Sequence, residues 1–379
     1  MLAISIYRKG FMKTVAAGRA VLELGKRYIT MRYIFIVIIL TSIMLVPANA
    51  DAKFNWTCQT AASGPYAYFQ TDISLAFDGS GRPAISCSGS GIYALKLVYD
   101  RNRDGDFADP GEISIVSGGT GAQYHSLAFD GSGRPAISYW DGNDGDLKLA
   151  YDRGGDGHFS GDSITLDSAG NVGHHNSLAF DGNDRPAISY LDYTNENLKF
   201  AYDKNGDGDF TDPDEIIIVD GSGNGARYTS LAFDGNDRPA ISYQDSSNAD
   251  LKFAYDKNGD GDFADPGEII ILDSQYNTGS YSSLAFDGSG RPAISYQDSS
   301  NDDLKFAYDT NGDGDFADSD EITIVDSAYI VGEHSSLAFD RNGWPAIAYW
   351  DVSNIEIKFC STYSYPKAMP GIPLLLLDD

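Results

Sequence analysis

The chain has 379 residues, 42% of them hydrophobic, with 41 glycines and 24 tyrosines. That is enough apolar surface for a large core, and it excludes both a disordered chain and a disulfide-held miniprotein. With 55 acidic against 27 basic residues the formal net charge is −28, which excludes a general nucleic-acid binder, since such a protein needs Lys and Arg to displace phosphate counterions.

Residues 1–50 differ from the rest. They hold seven basic residues (Arg8, Lys9, Lys13, Arg19, Lys26, Arg27, Arg32) and the single acid Glu23. An apolar run from Ile34 to Val46 follows, then Pro47 and Ala48-Asn49-Ala50, with small residues where a signal peptidase reads. The segment reads as a secretory signal cleaved after Ala50. A membrane anchor is the competing reading, but the run is shorter than the roughly 20 residues a spanning helix needs. Met31-Arg32-Tyr33 would itself make an ordinary signal start, so Met31 is an alternative initiation site. Cleavage leaves 20 basic and 54 acidic residues, a net of −34. The mature chain then has no transmembrane segment and is expected to be secreted, periplasmic or on the cell surface.

After the signal one unit recurs. Ser-Leu-Ala-Phe-Asp begins at Ser74, Ser126, Ser177, Ser230, Ser283 and Ser336, at spacings of 52, 51, 53, 53 and 53. Behind each comes a Gly/Asn/Asp turn and a Pro-Ala-Ile phrase, then Leu-Lys-Phe-Ala-Tyr-Asp, then a β-branched run such as Ile216 to Val219. Each phrase is short, rich in β-formers and bounded by turn residues, which is the signature of strands, four to a unit. One such meander cannot bury both faces, but six packed around an axis can. The expected fold is all-β, a six-bladed β-propeller of four-stranded antiparallel blades over residues 51–360. A linear β-solenoid would need shorter rungs and capped ends.

The ends of the repeat region fit ring closure. The sixth unit, Ser336 to Cys360, has three strand phrases, whereas Phe54 to Gln59 is a strand without a unit. The N-terminal strand is expected to complete the last blade and to bring Cys58 beside Cys360 within disulfide reach. The other outcome is two buried free thiols. Cys87 occupies a place held by Tyr139 and Tyr190 in other units and is expected to be an unpaired core residue.

The third and fourth strands of a unit are joined by an acidic loop. In the third unit Asp203, Asn205, Asp207 and Asp209 stand at loop positions 1, 3, 5 and 7, with Gly208 at 6. Alternate oxygen-bearing residues on a tight turn suit a hard cation that takes six to eight oxygens, and the loop resembles the calcium loops of EF-hand, dockerin and thrombospondin-type sites. Matching sets are Asp100, Asn102, Asp104, Asp106; Asp256, Asn258, Asp260, Asp262; and Asp309, Asn311, Asp313, Asp315. The EF-hand places its closing Glu at position 12. Here Glu112, Glu215, Glu268 and Glu321 stand at 13 and a further acid at 10, so which carboxylate closes the shell stays open. The second unit loses two of these positions and the sixth has no loop. About four structural Ca²⁺ sites are expected, against solvated turns without metal.

Taken together, Ser-Leu-Ala-Phe-Asp, Arg-Pro-Ala-Ile-Ser-Tyr and Leu-Lys-Phe-Ala-Tyr resemble the repeats of secreted bacterial and archaeal propellers, which share the layout of sialidase-like folds. The resemblance spans about residues 54–360. A sialidase would need converging arginines, but Arg82, Arg134, Arg185, Arg238 and Arg291 occupy the same turn of successive blades and are spread around the ring. No catalytic residue is assigned.

In such blades the Arg-Pro turns and acidic loops share one face, and the variable segments share the other. On the variable face, near the axis, stand Asp72, Tyr124, His175, Tyr228, Tyr281 and His334. This ring, with Trp140 and Trp350 at the ends of second strands, is the candidate ligand site, the competing reading being that the residues plug the tunnel mouth. The tail, 361–379, has three prolines and four leucines, too few to span a bilayer. The expectation is a calcium-stabilised, non-catalytic binding or scaffold module for an extracellular glycan or protein ligand. The alternative is a sialidase-like glycoside hydrolase or lyase acting on extracellular glycans.

Overall fold

Every repeated phrase becomes a strand because it is short, apolar and stopped on both sides by Gly, Asn, Asp or Pro. The computed structural model describes residues 56–63, 73–88, 94–102, 107, 109–117, 121–155, 157, 159, 162–222, 225–340 and 342–362. The signal segment with Met31 and Ala50, the residues Asp72, Asp104 and Asp106, and the tail from residue 363 lie outside the described residues.

Strand β1 (Thr57–Ser63) precedes the first unit. Blade one is β2 (Ile73–Phe77), β3 (Pro83–Ser88), β4 (Leu95–Tyr99) and β5 (Ile113–Ser117). Blade two is β6 (Ala122–Phe129), β7 (Pro135–Asp141), β8 (Asp146–Tyr151) and β9 (Ser163–Asp167), and blade three is β10 (Val172–Phe180), β11 (Pro186–Asp192), β12 (Asn197–Tyr202) and β13 (Ile216–Asp220). Blade four is β14 (Ala226–Phe233), β15 (Pro239–Asp245), β16 (Asp250–Tyr255) and β17 (Ile269–Asp273), and blade five is β18 (Thr278–Phe286), β19 (Pro292–Asp298), β20 (Asp303–Tyr308) and β21 (Ile322–Asp326). Blade six joins β22 (Glu333–Phe339), β23 (Pro345–Asp351) and β24 (Glu356–Ser361) to β1 in the order β1-β24-β23-β22. The fold is therefore the six-bladed propeller that the repeats imply, with the N-terminal strand as the outer strand of the last blade. Cys58 lies opposite Cys360 in that pairing, and the two form a disulfide that spans 302 residues of chain.

The core lies between blades. Ala136, Leu147, Leu149 and Tyr151 of blade two pack with Val172, Leu178, Ile188, Tyr190 and Ala201 of blade three, and four further clusters repeat the pattern around the ring. Second strands are covered on both faces, which is why Pro-Ala-Ile-Ser-Tyr does not alternate; every residue of β11, β15 and β19 is buried. Outer strands are less covered and leave Ile218, Ile271 and Ile324 facing water.

The serine of Ser-Leu-Ala is a seam between blades. The backbone N–H of Leu127, Leu178, Leu231, Leu284 and Leu337 donates to the hydroxyl of Ser74, Ser126, Ser177, Ser230 and Ser283 of the preceding blade at 2.9–3.1 Å. Cys87 differs from expectation in that it is half-buried rather than core, opposite Lys96 on β4, and it stands outside the disulfide.

Candidate functional site

The two faces of the ring are built by different chemistry. On the first, the Asp that ends Ser-Leu-Ala-Phe-Asp is buried and ties the Arg-Pro turn. Asp234 accepts from the Arg238 N–H at 2.9 Å, from Arg238 Nε at 2.8 Å and from the Tyr255 hydroxyl at 2.8 Å. Asp78, Asp130, Asp181 and Asp287 do the same with Arg82, Arg134, Arg185 and Arg291. Despite their burial, these hydrogen bonds and the arginine charge hold the carboxyls below their ordinary range, Asp234 at about 2. Each guanidinium also lies over its Tyr ring, 4.8–5.5 Å from the centroid. All five arginines are thus committed within their own blades and do not converge.

Each of these arginines also donates to the carbonyl at position 2 of its blade's acidic loop, as Arg185 does to Lys204 at 2.7 Å and Arg238 to Lys257 at 2.6 Å. The loops are ordered by their own side chains. Asp203 accepts from the N–H groups of Gly206 and Gly208, Asn205 from Asp207, and Asp207 from Asp209, at 2.7–3.1 Å. The loops from Asp256 and Asp309 repeat this pattern through Asn258, Asp260, Asp262 and Asn311, Asp313, Asp315.

The two acids left open by the sequence part company. Asp212 at position 10 is exposed and accepts from Asn205 Nδ2 at 2.6 Å, whereas Glu215 at position 13 is 2% exposed. Glu112, Glu268 and Glu321 are equally buried, as are Asp100, Asp203, Asp256 and Asp309 at position 1. Burial pushes Asp203, Asp256, Glu215 and Glu268 above the ordinary carboxylate range, and the charge of Asp203 adds to the shift of Glu215, that of Asp256 to the shift of Glu268. Glu215 Oε1 is buried with no hydrogen-bond partner. Two buried carboxylates acting on each other, one with an orphaned oxygen, suit a cation, because like charges out of water raise each other's energy until one arrives. Among the described residues no three His, Cys, Asp or Glu side chains are gathered closely enough to hold a metal unaided. An ion here would draw on Asn205 and on backbone oxygen as well.

Adjacent loops are stitched together. Arg153 and Lys204, at position 2 of their loops, donate to the carbonyls of Gly208 and Gly261 at position 6 of the next loop, at 2.6 and 2.9 Å. A Cβ at Gly208 would stand 1.8 Å from the Arg153 guanidinium, so the close approach requires glycine, as does its φ of +90°. Phe210, Phe263 and Phe316 at position 8 are buried in the clusters between blades, Phe263 edge-on to Phe200 and Phe316 edge-on to Phe253.

On the opposite face the innermost strands carry a bulge just before the seam serine. The bulge places Tyr124, His175, Tyr228, Tyr281 and His334 at φ of 49–53°, a left-handed conformation that costs bulky residues about 1 kcal/mol or more each. The result is an arc of five rings. Successive centroids are 4.7 Å (Tyr124 to His175), 5.0 Å (His175 to Tyr228), 4.5 Å (Tyr228 to Tyr281) and 4.4 Å (Tyr281 to His334) apart. A side chain of the next blade pins four of the five bulges. Thr229 donates to the His175 carbonyl at 2.6 Å, Ser282 to that of Tyr228 at 2.8 Å, Ser335 to that of Tyr281 at 2.7 Å, and Asn176 Nδ2 to that of Tyr124. Burial, with His174 and Arg227 nearby, lowers His175 to about 4, so this part of the arc is uncharged at neutral pH. Burial raises the Tyr281 hydroxyl, and Tyr228 and Glu333 add to the shift.

Beneath the arc the charges cancel in place. Lys252 lies 2.9 Å from both Asp220 and Asp245, and the Tyr243 hydroxyl donates to Asp220 at 2.7 Å. Lys305 and Lys358 repeat the arrangement.

Trp140 joins the aromatic face through Tyr124, whereas Trp350 makes no ring contact with a described residue. The sequence reading missed His174 and Tyr193. His174 packs on Trp140 at 4.3 Å and on Tyr193 at 5.1 Å. The signal available was that positions polar in the fourth and fifth units become aromatic here.

No family model matches the chain, and no curated protein matches it. Among solved structures it resembles a protein of unknown function from Dyadobacter fermentans, with 10% identity over 83% of this chain and 96% of that one and a TM-score of 0.53. It also resembles a subtype N10 neuraminidase-like protein of A/little yellow-shouldered bat/Guatemala, with 12% identity over 83% and 100% and a TM-score of 0.50. A lectin from Aleuria aurantia aligns at 9% identity over 76% and 90%, with a TM-score of 0.47. At these identities the likeness is one of fold.

Proposed function

We propose that the chain is an exported, calcium-stabilised β-propeller that acts as a non-catalytic binding or scaffold module, holding an extracellular glycan or protein ligand on its aromatic face. The observation that carries this reading is the arc of five contacting rings, each held in a left-handed bulge and four of them pinned by the next blade. An array of rigidly held aromatic faces is suited to stacking a ligand. The repeats are similar to those of secreted bacterial and archaeal propellers, and the basic lead, apolar run and Ala48-Asn49-Ala50 support export.

Calcium belongs to the other face. Asp203, Asn205, Asp207 and Glu215, with their counterparts in the first, fourth and fifth loops, are the residues that would hold it. The ion would neutralise paired buried carboxylates and so tighten loops already anchored in the core between blades. The alternative, a sialidase-like hydrolase or lyase, is disfavoured because all five Arg-Pro arginines are bound within their own blades. A glycan array with the wild-type chain and with the Tyr228→Ala/Tyr281→Ala variant tests the arc. Retained glycans should be lost or weakened roughly tenfold in the variant, and equal retention would sink the reading.

A further inference from the structure

We propose that the junction of blades two and three is a subsite for one neutral pyranose ring, formed by Trp140, His174 and Tyr193 beside Tyr124 and organised by Asn171. The inference rests on the reading of the aromatic face as a ligand surface and names where on it, and for what, affinity is concentrated.

Asn171 is the hub. Its carbonyl accepts from the Tyr193 N–H at 2.9 Å, its own N–H donates to Thr194 Oγ1 at 2.7 Å, and its Oδ1 accepts from Trp140 Nε1 at 2.9 Å and bonds His174 Nε2 at 3.1 Å. An indole N–H can only donate, so the amide atom facing it is oxygen, and the His174 nitrogen on the same oxygen must carry a proton. Burial holds His174 below its ordinary range, so the ring is neutral and its Nδ1 is left as an acceptor. Among the described residues nothing donates to that Nδ1. The rings stand at 4.3 Å (Trp140 to His174), 5.0 Å (Tyr124 to His174), 5.1 Å (His174 to Tyr193) and 6.1 Å (Tyr124 to Trp140), with Tyr193 48% exposed. Gly142 is required beside them, since a Cβ there would stand 2.9 Å from the indole.

The same frame recurs between blades four and five without aromatic groups. Asn277 takes the place of Asn171, accepting from the Ser299 N–H at 2.8 Å and from Gln244 Nε2 at 2.9 Å and donating to Ser300 at 3.0 Å. There Gln244, Ser280 and Ser299 fill the places of Trp140, His174 and Tyr193, and Gln244 and Ser280 are buried. The fold therefore does not need these three rings. Flat apolar faces flanking a lone acceptor match the C–H face and hydroxyl of a pyranose. No cation lies over any of these rings among the described residues, and a chain of net charge −28 repels uronates and sulfated sugars.

The test uses the full chain in millimolar Ca²⁺ with cellohexaose, mannohexaose, xylohexaose and maltohexaose, and hexagalacturonate as the acidic member. Trp140→Gln and Tyr193→Ser install side chains already present at the equivalent places, and His174→Phe keeps the ring while removing the acceptor. At least one neutral hexasaccharide should bind. Trp140→Gln and Tyr193→Ser should each weaken it roughly tenfold and His174→Phe roughly fivefold, with Tyr276→Ala, on a remote link, unchanged. Unaltered binding in the three junction variants together with loss in Tyr228→Ala would overturn the subsite and leave the arc reading standing. Preference for hexagalacturonate would overturn the neutral-sugar assignment, and failure of every hexamer to bind would overturn the subsite and the glycan reading together.

Discussion

Removal of divalent cation should loosen the whole ring. The buried pairs Asp203 with Glu215 and Asp256 with Glu268 form no ion pair among the described residues, Arg153 and Arg238 acting on Asp203 and Asp256 only at longer range, and the loops that hold them carry Phe210 and Phe263, which are packed into the core between blades. At millimolar external Ca²⁺ and dissociation constants of roughly 10⁻⁴ to 10⁻³ M, one site contributes about 0.4–1.4 kcal/mol. Four sites give about 2–6 kcal/mol, which in a domain of this size is roughly 4–20 °C of melting temperature. Calorimetry in Ca²⁺, in Mg²⁺ and in chelator measures it, Mg²⁺ serving to separate specific coordination from general screening of the acidic surface. Glu215→Gln should remove about a quarter of the Ca²⁺-dependent increment. Equal melting in Ca²⁺ and chelator, or an equal rise in Mg²⁺, would refute the reasoning and leave the loops as self-satisfied turns.

Three further outcomes are expected. Reducing the Cys58–Cys360 bridge, or replacing both with Ser, should lower stability by at most about 5 kcal/mol for a closed loop of 302 residues, read as a shift in the denaturant midpoint. His175 has a folded pKa of about 4 against about 6.5 unfolded, so its contribution is fully present above pH 6.5 and is lost as pH falls towards 4. His175→Phe should remove up to about 3 kcal/mol of that pH dependence, with unfolding curves at pH 7 and pH 4.5 as the check. In blade one Ser117 stands opposite Leu95 where Asp167 of blade two stands opposite Leu147, so Lys148 of blade two lacks the carboxylate that Lys199, Lys252, Lys305 and Lys358 each receive from the outer strand of the preceding blade, and it pairs with Asp141 and Asp144 of its own blade. Ser117→Asp should therefore raise the melting temperature by the equivalent of roughly 0.5–1 kcal/mol, and a fall would show that blade one is arranged differently.

The six blades were legible because the same four phrases recur at a nearly constant spacing, and the incomplete sixth unit pointed to the strand that closes it. The arc was legible for a related reason: Tyr124, His175, Tyr228, Tyr281 and His334 keep one offset from the repeated serine, so ring symmetry alone brings them together. The junction subsite was not. Its rings come from β7, β10 and the turn after β11, and its hub Asn171 lies in a link between blades, so no single repeat displays it. The difference between the two acids of the acidic loop was likewise hidden in the sequence, because Asp212 and Glu215 carry the same chemistry and differ only in burial. The half-burial of Cys87 had no cue either, since the Tyr it replaces is buried in every later blade.

Binding without turnover is tested most directly by equilibrium dialysis of end-labelled neutral hexasaccharides against the calcium-loaded chain, followed by chromatography of the retained sugar. The predicted result is one or more hexasaccharides concentrated with the protein and recovered at full length. Recovery of shortened products would contradict the non-catalytic reading, and no retention of any sugar would contradict the glycan-binding role of the aromatic face.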